Sequence, residues 1–302
     1  MDVVSLFSGC GGTDLGFLNA GHDVIWSNDI DKWACSSYEE NLGLRPNFED
    51  VTKISSFPKT DILVGCYPCQ GFSIYGSRRY SDPRNVLYLQ FIRALRQSKP
   101  KFFLTENVKG LLFGYGDKIL KNMLKKFKAC NYDVYWRLVN AKSYGLAQDR
   151  ERVIIVGRRK DLLRRYEFPE PTHGPNLKPY ETLRKVIGDF SRPRKEEVFQ
   201  GTFSSHYMSR NRKRAWGNVS FTIQASGRHA PLHPSGRPMI FVEKDRFRFV
   251  DGPNRRLSYK ECAAIQSFPR AFTLDGGLNE KYKQVGNAVP PLLANVFANS
   301  FL

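Results

Sequence analysis

The chain has 302 residues, 41 % hydrophobic and 25 % charged, an ordinary globular composition with no block polar enough for disorder and room for a large α/β domain plus a smaller appendage. Lys and Arg number 47 against 29 acidic residues, a formal net charge of +18, which favours polyanionic partners such as nucleic acid or an anionic membrane. No apolar run approaches the roughly 20 residues that span a bilayer, and Met1-Asp2-Val3-Val4-Ser5 lacks the positive start of a signal peptide, so a cytoplasmic, nucleic-acid-binding protein is expected.

Asp2 to Phe7 reads as a short buried strand, followed by the glycine turn Ser8-Gly9-Cys10-Gly11-Gly12 and a helix from Thr13 to Ala20. Such a turn lets the backbone approach a ligand and aims helix N-terminal amides at a negative group. Asp14 stands where the third glycine of the dinucleotide fingerprint would be and would repel a pyrophosphate; a ligand carrying a carboxylate and an ammonium fits better. A second strand, His22 to Ser27, ends at Asn28-Asp29-Ile30-Asp31, which places Asp29 where doubly wound folds hold a ribose hydroxyl. One of Asp29 and Asp31 is also expected to cap the helix Lys32 to Asn41. Asp50-Val51 forms a third turn of the same kind, able to accept a hydrogen bond from an adenine amino group.

The apolar run Asp61 to Val64 leads into Gly65-Cys66-Tyr67-Pro68-Cys69-Gln70-Gly71-Phe72-Ser73, where a thiol on a strand-end loop is accessible, and Cys69 is the candidate nucleophile. Taken alone, the stretch favours a small buried hydrophobe or a CxxC redox or metal pair, and the rest of the chain turns the reading to a nucleophile. The six cysteines, at 10, 35, 66, 69, 130 and 262, include one CxxC and no second pair, which argues against structural zinc and for free thiols. A basic loop from Gly76 to Asn85 and a helix from Leu87 to Gln97 follow, and the strand Phe102 to Thr105 then delivers Glu106-Asn107-Val108 to the sheet edge where Cys69 is expected. Asp117 to Cys130 has a helical apolar stripe opposite a lysine face, read as solvated. Strands are expected at Val134 to Val139 and Val153 to Gly157, and alternation in Gln148-Asp149-Arg150-Glu151-Arg152 would put two arginines on one side.

Past Tyr166 prolines interrupt the chain and strand–helix alternation stops, so a domain boundary is expected there. Between Ser205 and Lys260 there are 12 Lys or Arg against 3 acidic residues. Met208 to Arg214 and Gln224 to His229 offer the Arg, Asn and Gln side chains that read guanine and adenine edges. The alternatives are phosphate contacts alone, or arginines paired within the fold. Ser258 to Glu261 is a capping box opening a helix through Gln266. The apolar helix from Pro290 to Leu302 needs a core, for which the first lobe is the larger candidate.

Taken in order, these segments resemble the DNA (cytosine-5)-methyltransferases over almost the full chain. Phe7 to Gly12 looks like the cofactor loop, Pro68-Cys69-Gln70 the nucleophile loop, Glu106-Asn107-Val108 the cytosine-holding strand and Gln148 to Arg152 the QxRxR motif, while Arg256 to Pro269 and Gln284 to Pro291 are similar to the two late motifs. Tyr207 to Met239 resembles the target-recognition region of members that methylate GC-rich sites with adjacent cytosines. In two departures from the family pattern, Tyr67 stands where most members have a second proline and Cys66 where they have glycine.

The resemblance implies a class I S-adenosylmethionine-dependent fold, Rossmann-like and mostly parallel, with a smaller target-recognition domain. The expected divisions are 1–170 for catalysis and cofactor binding, 171–280 for target recognition and hinge, and 281–302 for a segment rejoining the catalytic domain. Cys69, Glu106, Arg150 and Arg152 are the implied catalytic residues. Phe7, Ser8, Gly9, Gly11, Gly12, Asp29, Ile30, Asp50, Val51, Pro68, Leu87, Asn287 and Ala288 are the implied contacts to S-adenosylmethionine and its product S-adenosylhomocysteine. Ser73, Arg210, Arg212, Arg214, Gln224 and Arg228 would touch double-stranded DNA, and no metal is expected. The resemblance also implies a thiolate addition to carbon 6 of a flipped-out cytosine; a monomer is the default expectation, and a companion restriction endonuclease acting on the same site is a partner the sequence leaves open. The alternatives are an RNA (tRNA) cytosine-5 methyltransferase and a catalytically silent DNA-binding regulator of the same fold.

Overall fold

Val3, Val4, Ser5 and Leu6 of β1 (Asp2–Leu6) are all buried, as befits the interior strand of a sheet covered on both faces. The computed structural model describes residues 1–68, 86–163 and 165–302. After β1 come α1 (Gly12–Asn19), β2 (Asp23–Asp29), α2 (Lys32–Leu42), β3 (Asn47–Phe48), β4 (Ile62–Gly65), α3 (Tyr88–Ser98), β5 (Phe102–Val108) and α4 (Tyr115–Ala129). Next are β6 (Tyr132–Asn140), the two-residue β7 (Gln148–Asp149) and β8 (Glu151–Arg159). The seven-stranded sheet has the order β3-β2-β1-β4-β5-β8-β6. Its first five strands pair in parallel and β8 pairs antiparallel with both β5 and β6. This is the mostly parallel α/β sheet that the alternating pattern predicts.

Two compact units divide the chain: Met1–Asn140 with Glu151–Glu170 and Leu293–Leu302, and Ala141–Arg150 with Pro171–Leu292. In the first, α3 and α4 bury Phe91 and Phe127, which meet Phe103 of β5 in a ring cluster with centroids 4.7–5.9 Å apart. Phe301, near the C-terminus, packs its ring on Phe17 and Phe102, and His22 Nε2 donates to the Ala298 carbonyl at 3.1 Å.

The second unit has short elements: α5 (Leu183–Ile187), α6 (Ser205–Met208), β9 (Ser220–Phe221), the β10 (Ile240–Glu243) and β11 (Arg246–Arg248) hairpin, α7 (Tyr259–Ile265) and α8 (Leu278–Asn287); α9 (Pro291–Asn299) ends the chain's helices. Sparse regular structure leaves many carbonyls to be satisfied by side chains, and buried cations do this. Arg256 donates to the Gly201, Thr202 and Arg228 carbonyls at 2.7, 3.1 and 3.2 Å, with its guanidinium 4.0 Å from the Phe203 ring centroid. Lys213 donates to the Ser235 and Arg237 carbonyls and to Asn254 Oδ1 at 2.8–3.0 Å. Burial lowers the Lys213 pKa. The capping box at Ser258 and Glu261 is present, and Glu261 also takes a two-pronged pair from Arg255 at 2.7 Å.

Candidate active site

The parallel strands β1, β2, β4 and β5 bring Phe7, Asp29, Gly65 and Glu106–Val108 to one sheet edge, because parallel neighbours present their C-terminal ends together. At β1 the chain turns sharply: Phe7 has φ +56°, a conformation costly for a bulky residue, followed by Gly9 at +56° and Gly11 at +90°. The Ser8 amide donates to the Asn28 carbonyl at 3.0 Å and the Gly11 amide to the Ser8 carbonyl. A side chain at Gly11 would collide with Leu42 and Tyr38, whereas Gly9 has open space around it. Gly12 opens α1.

Asp29 joins this turn to the next. Its Oδ2 accepts from the Gly9 amide at 2.7 Å and its Oδ1 from the Asp31 amide at 2.8 Å. Burial raises its pKa despite these bonds, and a carboxylate has further lone pairs for a hydroxyl ligand. Asp31 caps α2 by accepting from the Trp33 and Ala34 amides. Ile30, between them, is 63 % exposed, a large apolar side chain held at the mouth of the edge. Asn28 Nδ2 donates to the Asn47 and Glu49 carbonyls, fixing the turn before Asp50. The Thr52 amide and hydroxyl hold the Asp50 carboxyl below its ordinary range. Val51 is buried in the core; Leu87, just before α3, packs against it.

On the other flank, Glu106 pairs with Ile154, and Arg152 lies two residues along β8, a diagonal neighbour on the same face. Arg152 Nε stands 2.7 Å from Glu106 Oε1, with both side chains about nine-tenths buried. Asn107 Nδ2 reaches the Tyr67 carbonyl at 3.4 Å and its Oδ1 accepts from the Val108 amide, bracing the base of the loop that carries Pro68. Tyr67 is buried in the core beside Phe7, Tyr88 and Phe91, so the aromatic that replaces a proline points away from the loop surface. Cys66 Sγ is 3.9 Å from Thr13 Oγ1, and burial followed by the Glu106 charge pushes its thiol up to about 12. Cys69 and Ser73 lie outside the described residues.

Two expectations need correcting. Arg150 and Arg152 have different partners among the described residues: Arg150 is 2 % exposed and donates to the Ile223, Gly286 and Ala288 carbonyls at 3.2, 3.2 and 2.9 Å, bonds that brace the second unit. Gln148 joins this network, accepting from the Ile223 amide and donating to Gln266, which donates to the Val285 and Ala288 carbonyls. The Ala288 carbonyl accepts from both Arg150 and Gln266, and Asn287 ends α8 beside it.

Arg212, expected to read guanine, is 7 % exposed, donates to the His229 carbonyl and has its guanidinium 5.1 Å from the Tyr207 ring centroid. It is an arginine paired within the fold. Arg214 is half-buried 4.0 Å from the Phe221 ring centroid. Arg210 and Gln224 are half-buried and Arg228 is exposed. The sequence did not show the strain at Phe7 or the structural roles of Lys213, Arg256 and Asn28. Only Asn28 had a local signal, an amide at the end of a strand beside the expected ribose ligand.

A family model described as C-5 cytosine-specific DNA methylase matches residues 1–302. Type II methyltransferase M.BsuRI of Bacillus subtilis is 42 % identical to this chain, the match covering 99 % of the chain and 78 % of the relative. Type II methyltransferase M.BspRI of Lysinibacillus sphaericus is 43 % identical, covering 99 % and 81 %. Among solved structures, the methyltransferase EhMeth of Entamoeba histolytica superposes with a TM-score of 0.73 at 16 % identity, over 99 % of this chain and 97 % of that one, a likeness of fold.

Proposed function

The chain belongs to the C-5 cytosine-specific DNA methylase family and is a DNA (cytosine-5)-methyltransferase, and from that premise we propose a covalent mechanism in which Cys69 attacks a flipped-out cytosine of duplex DNA at a sequence read by the second unit. The observation that carries it is the buried Glu106–Arg152 pair at the C-terminal edge of the parallel sheet, one strand over from the β4 loop that leads to Cys69.

Carbon 5 of cytosine is too weak a nucleophile for a methyl sulfonium, so a thiolate first adds to carbon 6 and makes the ring an enamine. Glu106 brings a proton to ring nitrogen 3 and accepts from the exocyclic amine, so the negative charge that the thiolate carries into the ring is neutralised as the enamine forms, and Arg152 holds both the carbonyl oxygen and Glu106 itself. Asn107 keeps the loop base in place. After transfer, loss of the carbon 5 proton drives elimination of Cys69 and restores aromaticity. The target base leaves the stack for this chemistry, as in methyltransferases generally.

The open, left-handed Gly9, the strained Phe7, the Asp29 carboxylate and the exposed Ile30 fit S-adenosylmethionine. When bound it supplies an electrophilic methyl group. Asp29 would accept from the ribose hydroxyls, the glycine turn would present amides to the carboxylate, and Phe7, Ile30 and Val51 would enclose the adenine. No metal enters this scheme. Arg210 and Arg228 would read bases and Arg214 and Gln224 support the contact surface, while Arg150 and Arg212 hold the second unit's backbone. A monomer acting in the cytoplasm, with a companion endonuclease of the same specificity, completes the reading.

The test is a duplex bearing 5-fluorocytosine at the target position. Fluorine cannot leave as a proton does, so wild-type enzyme should accumulate a denaturation-resistant protein–DNA adduct that Cys69→Ser does not form. Turnover retained by Cys69→Ala would overturn the covalent role.

A further inference from the structure

Asp14 has no part in the chemistry above, yet it is fully enclosed beneath the cofactor turn. Its Oδ1 accepts from Ser5 Oγ and its Oδ2 from Tyr38 Oη, both at 2.7 Å, so one carboxylate pins the first turn of α1 to β1 and α2. Burial pushes its carboxyl up to about 6, against the lowering effect of the two hydroxyls, so it is ionised at neutral pH. Its charge also reaches across to Cys66, where it adds to the burial and Glu106 effects that raise that thiol.

The N-terminus of a helix favours anions. A carboxylate in the first turn of α1 opposes that preference and makes the turn receptive to positive charge. We propose that Asp14 is a positioning and charge-selecting residue of the cofactor turn, favouring the sulfonium of S-adenosylmethionine over the neutral thioether of S-adenosylhomocysteine. Donor and product share their amino, carboxylate, ribose and adenine groups and differ in the methyl group and the sulfonium charge it carries. A buried negative charge therefore separates the two, whereas an uncharged scaffold of the same shape favours neither by charge. The inference rests on the S-adenosylmethionine reading of the site.

The test is calorimetric titration of wild type and Asp14→Asn with both ligands at pH 7.5. Asparagine keeps the shape, can accept from one hydroxyl and donate to the other, and loses only the charge. Affinity for S-adenosylmethionine should fall about five- to tenfold, the scale of one screened charge interaction, while affinity for S-adenosylhomocysteine stays within about twofold. Equal losses for both ligands, or no change for either, would overturn the proposal and leave Asp14 a structural brace. Wild type that binds neither ligand would overturn the cofactor reading itself.

A second measurement requires no folded variant. The wild-type affinity ratio of the two ligands should narrow between pH 7.5 and 5, as Asp14 takes up a proton. Ser5 faces it from β1, Tyr38 from α2, its phenol raised by burial, and Cys66 from the end of β4, its thiol pushed to about 12; none of these changes charge over that range. Cys10, in the turn, is likewise pushed to about 12. Asp29 and Asp31 flank the site from the β2–α2 turn, and burial raises Asp29. Should the narrowing persist undiminished in Asp14→Asn, Asp29 is the titrating group and the assignment to Asp14 is wrong.

Discussion

Glu106 and Arg152 come from strands running in opposite directions, and antiparallel register sets them diagonally on one face at 2.7 Å. A buried pair of this kind positions each partner at the expense of leaving the other uncompensated when one is removed. Glu106→Gln keeps the size of the side chain but loses the charge that holds Arg152 and the carboxyl group that brings a proton to ring nitrogen 3 as the thiolate adds. It should lower kcat by about 10²- to 10³-fold, as loss of one preorganised stabilising group does, with calorimetric affinity for S-adenosylmethionine unchanged. A comparable loss of that affinity would show that Glu106 shapes the cofactor turn instead. Both residues were legible because each sits in a short motif whose neighbours are apolar strand residues. Arg212 was not, since a sequence gives the cation and its charge but not the carbonyls and rings that fold around it.

At the scale of elements, the alternation of apolar runs and amphipathic stretches placed the strands and helices of the first unit with small shifts at their ends. β5 continues past its expected apolar stretch through Val108, and β8 runs from Glu151 to Arg159, because ladder hydrogen bonds extend into the polar residues at the strand ends. The second unit was less legible, as its short strands and helices are held by buried Arg and Lys side chains rather than by periodic apolar faces. Gly286 illustrates this. It lies in α8 where an added Cβ would come within 2.2–2.4 Å of the Gln224 and Ala225 backbone, and its carbonyl accepts from Arg150. Gly286→Ala should destabilise this unit by about 1–3 kcal/mol, the cost of overpacking against atoms that cannot rotate away. That corresponds to a fall in Tm of several degrees; an unchanged Tm would mean that α8 shifts freely along the segment.

For the whole molecule, the net charge of +18 pointed correctly to a nucleic-acid enzyme but overstated the surface available to DNA. Arg150, Arg212, Lys213 and Arg256 are all buried in the second unit, bonded to its own carbonyls. On the proposed reading, sequence specificity would fall to a smaller set that includes Arg210 and Arg228, whose side chains would meet base edges. The central claim, cytosine-5 methylation in one sequence context, is tested most directly by bisulfite sequencing of plasmid DNA from cells expressing this chain. The account predicts protected cytosines in a single short repeated context, absent from cells expressing Cys69→Ala. Soluble, folded protein that leaves every cytosine convertible would contradict it.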